Sequence, residues 1–299
     1  MAGSMNAQLT FFFVVDPPKY QNMGCYLAAS IRTQFDEPVK LVGYCPATNL
    51  DKMDPKALAI YDALDVDIRP METEGRFDEP YPHGNKLLAA LEPRDTPYSA
   101  FMDSDMVYVG KNTVSQIAFD GHVSVAAATS LYWAGQDIWD PIYAACEMEP
   151  PTERIWLQRQ RRRKMMPYFN AGLIVFPEGP RNAHGESFAQ IWYRLARQID
   201  ARADVPKKRP YLDQMSLPPA IRAAGLDWHL LPEEQHYILG GVLRGKPLPE
   251  DKSIKLLHYR KIDILKEVDK LRYAKKMLED LTGVRRIDKM PVPKDASET

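Results

Sequence analysis

The sequence predicts an α/β fold built on a mostly parallel central sheet, and three observations carry that prediction. Short apolar runs alternate with helical repeats through the first half of the chain. This β-α-β-α order is the pattern of crossover units whose helices flank a parallel sheet. The first run, Leu9–Val15, is apolar at all but one position, as suits a strand covered on both faces. A carboxylate pair, Asp103 and Asp105, follows the fourth run, and such sheets collect ligands at the carboxyl ends of their strands.

Each element has its own justification. Leu9–Val15 is a buried strand stopped by Asp16-Pro17-Pro18. Asn22 is placed to cap a helix ending at Phe35, with Met23, Leu27, Ile31 and Phe35 stacked at steps of four. Val39–Tyr44 is the second strand, Asp54–Leu64 a helix, and Val66–Ile68 a short strand closed by Pro70. Lys86–Leu91 is helical and stops before Pro93, and Ala100–Met102 leads into the Asp pair. Asp16 and Asp103 therefore both follow strands and can face one crevice.

In the second half, Val123–Ala128 and Phe169–Phe176 read as strands and Glu186–Ile199 as an amphipathic helix. Lys255–His258 is a short strand after a Gly/Pro-rich loop. Ile262–Leu281 reads as one helical tail, with apolar residues at 262, 265, 268, 271 and 278. No internal repeat or low-complexity linker appears. The expected organisation is an appended or disordered lead at 1–7, one domain over 8–260, and a helical basic extension over 261–299.

At 299 residues and 45% hydrophobic content, the chain can bury a substantial core. A formal net charge of −1 gives no global field toward nucleic acid. Cys25, Cys45 and Cys146 are odd in number and widely spaced, which fits a reducing cytosol and neither a disulfide framework nor a zinc site. No apolar run approaches the ~20 residues of a membrane span, and Leu9–Val15 is too short for a signal-peptide core. A soluble, cytoplasmic protein is expected. Two basic segments bear on membrane contact: 159–164, and 255–290 with 11 Lys/Arg against 6 Asp/Glu. Peripheral docking at the inner face of a membrane is one reading. A solvated helix end and ordinary packing of the tail are the preferred ones.

Asp103-Ser104-Asp105 carries the chemistry. Residues i and i+2 of a strand share a face, so the two carboxylates can converge. Two converging anions need a cation or a proton to coexist, and a divalent metal is the natural candidate. Other segments join the pair in order: Phe169-Asn170-Ala171-Gly172, Asp213-Gln214, and His258-Tyr259. Taken singly, each has a plainer reading: a strand opening, a helix cap, and a satisfied histidine.

As an ordered set these elements resemble the GT-A nucleotide-sugar glycosyltransferases, especially glycosyltransferase family 8, the glycogenin and lipopolysaccharide galactosyltransferase group. The resemblance covers roughly residues 8–260. Lys86, 17 residues ahead of Asp103, fits the family's basic residue before its acidic motif. The resemblance implies a GT-A fold, a nucleoside diphosphate sugar donor, and a saccharide, lipid-linked or small-molecule acceptor. It implies metal ligation by Asp103, Asp105 and His258, a donor set suited to Mn²⁺ or Mg²⁺. It further implies donor contacts from Val15, Asp16, Tyr20, Lys86, Asp103 (also to the ribose), Ser104, Asp105, Ala171 and Gly172, with Val14 closing the same strand and Tyr20 placed to stack on a uridine base. Asn170, Asp213 and Gln214 fall where the family sets its catalytic side of the sugar. Family members retain anomeric configuration; a carboxylate at 213 could also serve an inverting reaction as base. The family follows its histidine with Phe or Tyr and then a Gly-Lys pair. Here the run is His258-Tyr259-Arg260-Lys261, so Arg260 and Lys261 become the phosphate contacts and the missing glycine puts their geometry in question.

Two alternatives compete. A haloacid-dehalogenase-type phosphotransferase shares the strand and Asp-x-Asp-x-Val pattern, but needs it near the N-terminus with a later acidic pair. A non-catalytic nucleotide-sugar-binding protein would have no reason to keep a complete ligand set. Sugar nucleotidyltransferases lack support because no Gly-rich loop follows the first strand.

Overall fold

The computed structural model describes residues 7–129, 138–159, 163–205, 207–209, 211–240, 246–284 and 287. Along them the chain runs β1 (Leu9–Val14), α1 (Lys19–Gln34), β2 (Val39–Pro46), α2 (Pro55–Ala63), β3 (Val66–Met71), α3 (Asn85–Leu91), β4 (Tyr98–Met102), β5 (Met106–Tyr108) and β6 (His122–Ala127). There follow α4 (Trp139–Ala145), β7 (Phe169–Pro177), α5 (Phe188–Asp200), α6 (Leu212–Met215), α7 (Leu217–Ala223), β8 (Asp227–Leu230), β9 (Tyr237–Ile238), β10 (Leu256–His258), α8 (Ile262–Glu267) and α9 (Leu271–Thr282).

Seven strands form the central sheet in the order β3-β2-β1-β4-β7-β6-β8. Every pairing is parallel except those of β7, which runs antiparallel to both β4 and β6. A small sheet, β5-β10-β9, stands beside it. The α/β expectation holds, and the reason is visible along β1. Phe12 points to the face covered by α3 and α5, whereas Phe11 and Phe13 point to the face covered by α1, α2 and α9. All three rings are fully buried, each contributing roughly 1.5–3 kcal/mol relative to exposure.

Several boundaries differ from the sequence expectation. Helix α1 starts at Lys19, so Asn22 lies inside it and caps nothing. The Asp16-Pro17-Pro18 turn supplies the entry instead, with the Tyr20 N–H donating to the Asp16 carbonyl at 3.0 Å. Strand β3 continues through Pro70 to Met71. It is an edge strand, where a residue without an N–H is tolerated.

The helical tail is two helices rather than one. The chain breaks at Val268–Lys270, with Asp269 in the left-handed region at φ 53°. Helix α9 buries Ala274, Met277 and Leu278 in the core that contains α1, and Gln34 donates to the Tyr273 hydroxyl at 2.8 Å. The apolar face that could have met a membrane is thus occupied. No helix among the described residues is long and apolar enough to cross one.

The first basic segment is also partly spent. Arg159 pairs with Glu233 at 2.7 Å, donates to the Ile238 carbonyl at 2.8 Å and packs over the Tyr237 ring. It therefore anchors a loop and offers little to an anionic surface. Residues 160–162 of that segment, 285–286 and 288–290 of the other, and 1–6 of the expected lead lie outside the described residues.

Candidate active site

The Asp pair does not lie on a strand. Strand β4 ends at Met102 and β5 begins at Met106, so Asp103-Ser104-Asp105 forms the tight turn between them. The carboxylates converge because the turn is pinned, not because of strand alternation. The buried Ser104 hydroxyl donates to the Val14 carbonyl, and the Asp103 N–H donates to the Gly172 carbonyl at 2.7 Å. Ser104 thus ties the turn to β1. Beyond it, β5 pairs antiparallel with β10 and sets His258 opposite Met106.

That pairing brings the third member in. His258 Nε2 lies 3.2 Å from Asp105 Oδ1 and 3.9 Å from Asp103 Oδ2. One ligand atom from each of Asp103, Asp105 and His258 falls within 4.8 Å of the others. Two carboxylate oxygens and an imidazole nitrogen at this spacing fit a hard to borderline divalent cation.

Lys86 sits at the centre of a second set of contacts. Its Nζ is 3.0 Å from Asp103 Oδ1 and 2.8 Å from Asp213 Oδ2, and donates to the Ala171 carbonyl at 3.1 Å. Burial works against its charge, but the two carboxylates outweigh that and raise its pKa. Burial raises the Asp103 pKa, with repulsion from Asp105 adding to it and Lys86 opposing. Burial also acts on Asp105, yet the adjacent His258 prevails and lowers its pKa. Asp213 sits in the first turn of α6 without capping it; its carboxylate also accepts from the Tyr81 hydroxyl at 3.3 Å.

Asn170-Ala171-Gly172 forms a bulge. The register between β6 and β7 jumps from Val125↔Ile174 to Ala126↔Asn170, leaving extra residues on β7 beside the site. Asn170 Oδ1 accepts the Gly172 N–H at 2.9 Å and steadies the bulge. Gly172 has a definite steric reason to be glycine: a Cβ there would lie 2.9 Å from the His258 ring. It makes room for the His258 ring.

These residues face a cavity of about 350 Å³. Val14, Asp16 and Tyr20 line one side, Asp103, Ser104, Asp105, His258 and Arg260 another, and Lys86, Asn170, Ala171, Gly172, Asp213 and Gln214 the remainder. Asp16 is oriented by Asn49 Nδ2 at 2.8 Å, and burial raises its pKa. Tyr20, at the start of α1, is half-exposed to the opening. Two expected contacts are not on this lining. Val15 turns its side chain into the core toward Gly24 and Gly43, because its backbone continues the β1 pairing to Tyr44. Lys261 stands at the N-cap of α8.

Arg260 stands where the family has its glycine. It adopts φ 60°, the left-handed conformation a glycine would take without strain. Arg260 also lines the cavity.

Sequence reading missed Pro82, His83, Asn85, Phe101 and Tyr211, which also line the cavity, and His236 behind His258. His236 is fully buried; burial and the neighbouring His258 hold its pKa well below that of an ordinary histidine. Nothing local flags these residues. Only the second histidine preceding His258 by 22 positions hints at a pair.

A family model described as the Rhodobacterales glycosyltransferase domain matches residues 11–225. Among solved structures, the chain is similar to the galactosyltransferase LgtC in complex with donor and acceptor sugar analogs, at 12% identity and TM-score 0.56, covering 92% of this chain and 97% of that one. It is similar to mouse xyloside xylosyltransferase 1 at 11% identity and TM-score 0.51, covering 85% and 97%. The bifunctional glycosyltransferase WbbM matches at 13% identity and TM-score 0.50, over 93% of this chain and 53% of that one. No curated protein matches the chain by sequence.

Proposed function

The chain belongs to the Rhodobacterales glycosyltransferase family and has the GT-A fold, and from that premise we propose that it transfers a sugar from a nucleoside diphosphate sugar to an acceptor hydroxyl with metal assistance. The observation that carries the proposal is the convergence of Asp103, Asp105 and His258 within 4.8 Å at the carboxyl end of β4, beside Lys86 and Asp213. A phosphotransferase with the same acidic motif is set aside by the family match.

In this reading Asp103, Asp105 and His258 hold Mn²⁺ or Mg²⁺, which when bound neutralises the diphosphate leaving group as a Lewis acid. Lys86 and Arg260 add positive charge for the same diphosphate, Arg260 through a planar fork suited to phosphate oxygens. Tyr20 and Asp16 hold the nucleoside, with uridine the assigned base. Asp213, paired with Lys86 at 2.8 Å, places its carboxylate next to the sugar where positive charge develops at the anomeric carbon. Asn170 and Gln214 orient the sugar. Retention is the outcome that the resemblance to family 8 supports, with leaving-group phosphate accepting the acceptor's proton. The donor and acceptor analogs bound by LgtC support a site for both substrates. Peripheral membrane contact would rest mainly on exposed basic side chains, since Ala274, Met277 and Leu278 of α9 are buried in the core.

The test is a screen of nucleotide sugars for Mn²⁺-dependent release of nucleoside diphosphate. UDP release that is abolished by chelation and by Asp105→Ala is expected. Turnover and metal dependence unchanged in Asp105→Ala would overturn the assignment.

A further inference from the structure

Behind His258, on the side away from the carboxylates, lies His236. Its Nε2 is 3.1 Å from His258 Nδ1, and the two rings stack with centroids 5.4 Å apart at 26°. The contact is built by strand pairing. His236 directly precedes β9, and β9 runs parallel to β10 with Ile238 opposite His258. The His258 ring also lies close to Gly172, where an added Cβ would come within 2.9 Å of Cε1 and Nδ1. Both a glycine and a second imidazole thus crowd the ring.

Packing alone does not account for a histidine at 236. Its Nδ1 is buried and has no hydrogen-bond partner among the described residues, a cost that Phe or Leu would avoid. The useful atom is Nε2. A histidine that offers Nε2 to a cation must carry its proton on Nδ1, and that N–H needs an acceptor to fix ring and tautomer. The usual acceptor is a carboxylate or a backbone carbonyl. Here the position is filled by an uncharged imidazole, which orients His258 without adding a third negative charge near Asp103 and Asp105.

We propose that His236 is the positioning residue of the metal site, accepting the His258 Nδ1–H so that the Nε2 lone pair faces Asp103 and Asp105. The proposal rests on the metal-site reading given above. With the cation absent the pair has a second arrangement: His236 Nε2–H donates to His258 Nδ1, and the His258 Nε2–H donates to Asp105. Cation binding selects between the two.

The experiment titrates Mn²⁺ into the full chain and follows free Mn²⁺ by electron paramagnetic resonance, without nucleotide sugar. His236→Phe keeps the ring volume and removes the acceptor; its Mn²⁺ Kd should rise roughly 10- to 100-fold. His236→Gln, whose Oε1 can accept, should recover most of that loss, which a purely structural role would not predict. Nitrogen NMR of the unmodified, Mg²⁺-loaded protein should place the proton on His258 Nδ1 and show coupling across the hydrogen bond to His236 Nε2. Parent-like Mn²⁺ affinity in a folded His236→Phe, or a proton on His258 Nε2 in the Mg²⁺-loaded protein, overturns the proposal. If His236→Phe does not fold, the NMR measurement decides alone. Asp105→Ala separates the two levels: loss of Mn²⁺ binding there with parent-like binding in His236→Phe defeats only the positioning role. Parent-like binding in both defeats the metal site as well.

Discussion

Arg260→Gly is expected to melt higher than the parent while binding UDP more weakly. Arg260 sits at φ 60°, where a residue with a Cβ pays roughly 1–2 kcal/mol relative to the right-handed region. Glycine removes that strain but gains unfolded-state freedom that costs about 0.5–1 kcal/mol. The net gain is then about 0.5–1 kcal/mol, or roughly 1–3 °C in Tm for a chain of this size. Against this, the guanidinium on the cavity wall is lost. Charge-assisted hydrogen bonds contribute about 1.5–3 kcal/mol, so UDP affinity in the presence of Mn²⁺ should fall roughly 10- to 100-fold. Arg260→Ala separates the effects, because it keeps the strained backbone and loses the charge. It should bind UDP as poorly as the glycine variant and melt with the parent. Thermal denaturation and calorimetric UDP titration of the three proteins make the assay. If the glycine variant melts no higher than the alanine one, the strain argument is wrong. If all three titrations superimpose, Arg260 does not touch the diphosphate.

Other perturbations follow from the same geometry. Gly172→Ala places a methyl group 2.9 Å from the His258 ring; overpacking should cost about 1–3 kcal/mol in urea unfolding and weaken Mn²⁺ binding. Lys86→Met removes the cation shared by Asp103 and Asp213. The loss should reach about 3 kcal/mol, with part restored in the double variant Lys86→Met/Asp213→Asn; equal stability of single and double variants would contradict the shared-cation picture. The Arg194 hydrogen bonds hold the Glu186 carboxyl down at about 2 from an ordinary 4.5. Its stabilising contribution is present above 4.5 and disappears as pH falls through about 2, so the difference in urea midpoint between parent and Glu186→Gln should collapse across that window.

Much of the fold was legible because it is written in local periodicity. The continuous apolar runs around Phe12, Val42 and Phe101 mark strands covered on both faces, and their alternation with helices implies the parallel sheet. The boundaries that shifted did so for non-local reasons. Pro70 stays in a strand because β3 is an edge, and the tail bends at Asp269 so that α9 can reach α1. The Asp pair was found with its partner His258, yet for a different geometric reason than strand alternation. It lies in a turn pinned by Ser104 and Gly172.

By itself, the sequence determined the order of elements and the chemical identity of the Asp103, Asp105 and His258 set. Side-chain type and short-range spacing encode the elements and the Asp pair; His258, 153 residues after Asp105, joins the set only through the family resemblance. Only the tertiary structure decided that Lys86 bridges Asp103 and Asp213, that Gly172 is small to admit the His258 ring, and that His236 stands behind it. Those contacts depend on strand order and register between residues 17 to 127 positions apart, and pairing of that kind leaves no periodic trace in the chain.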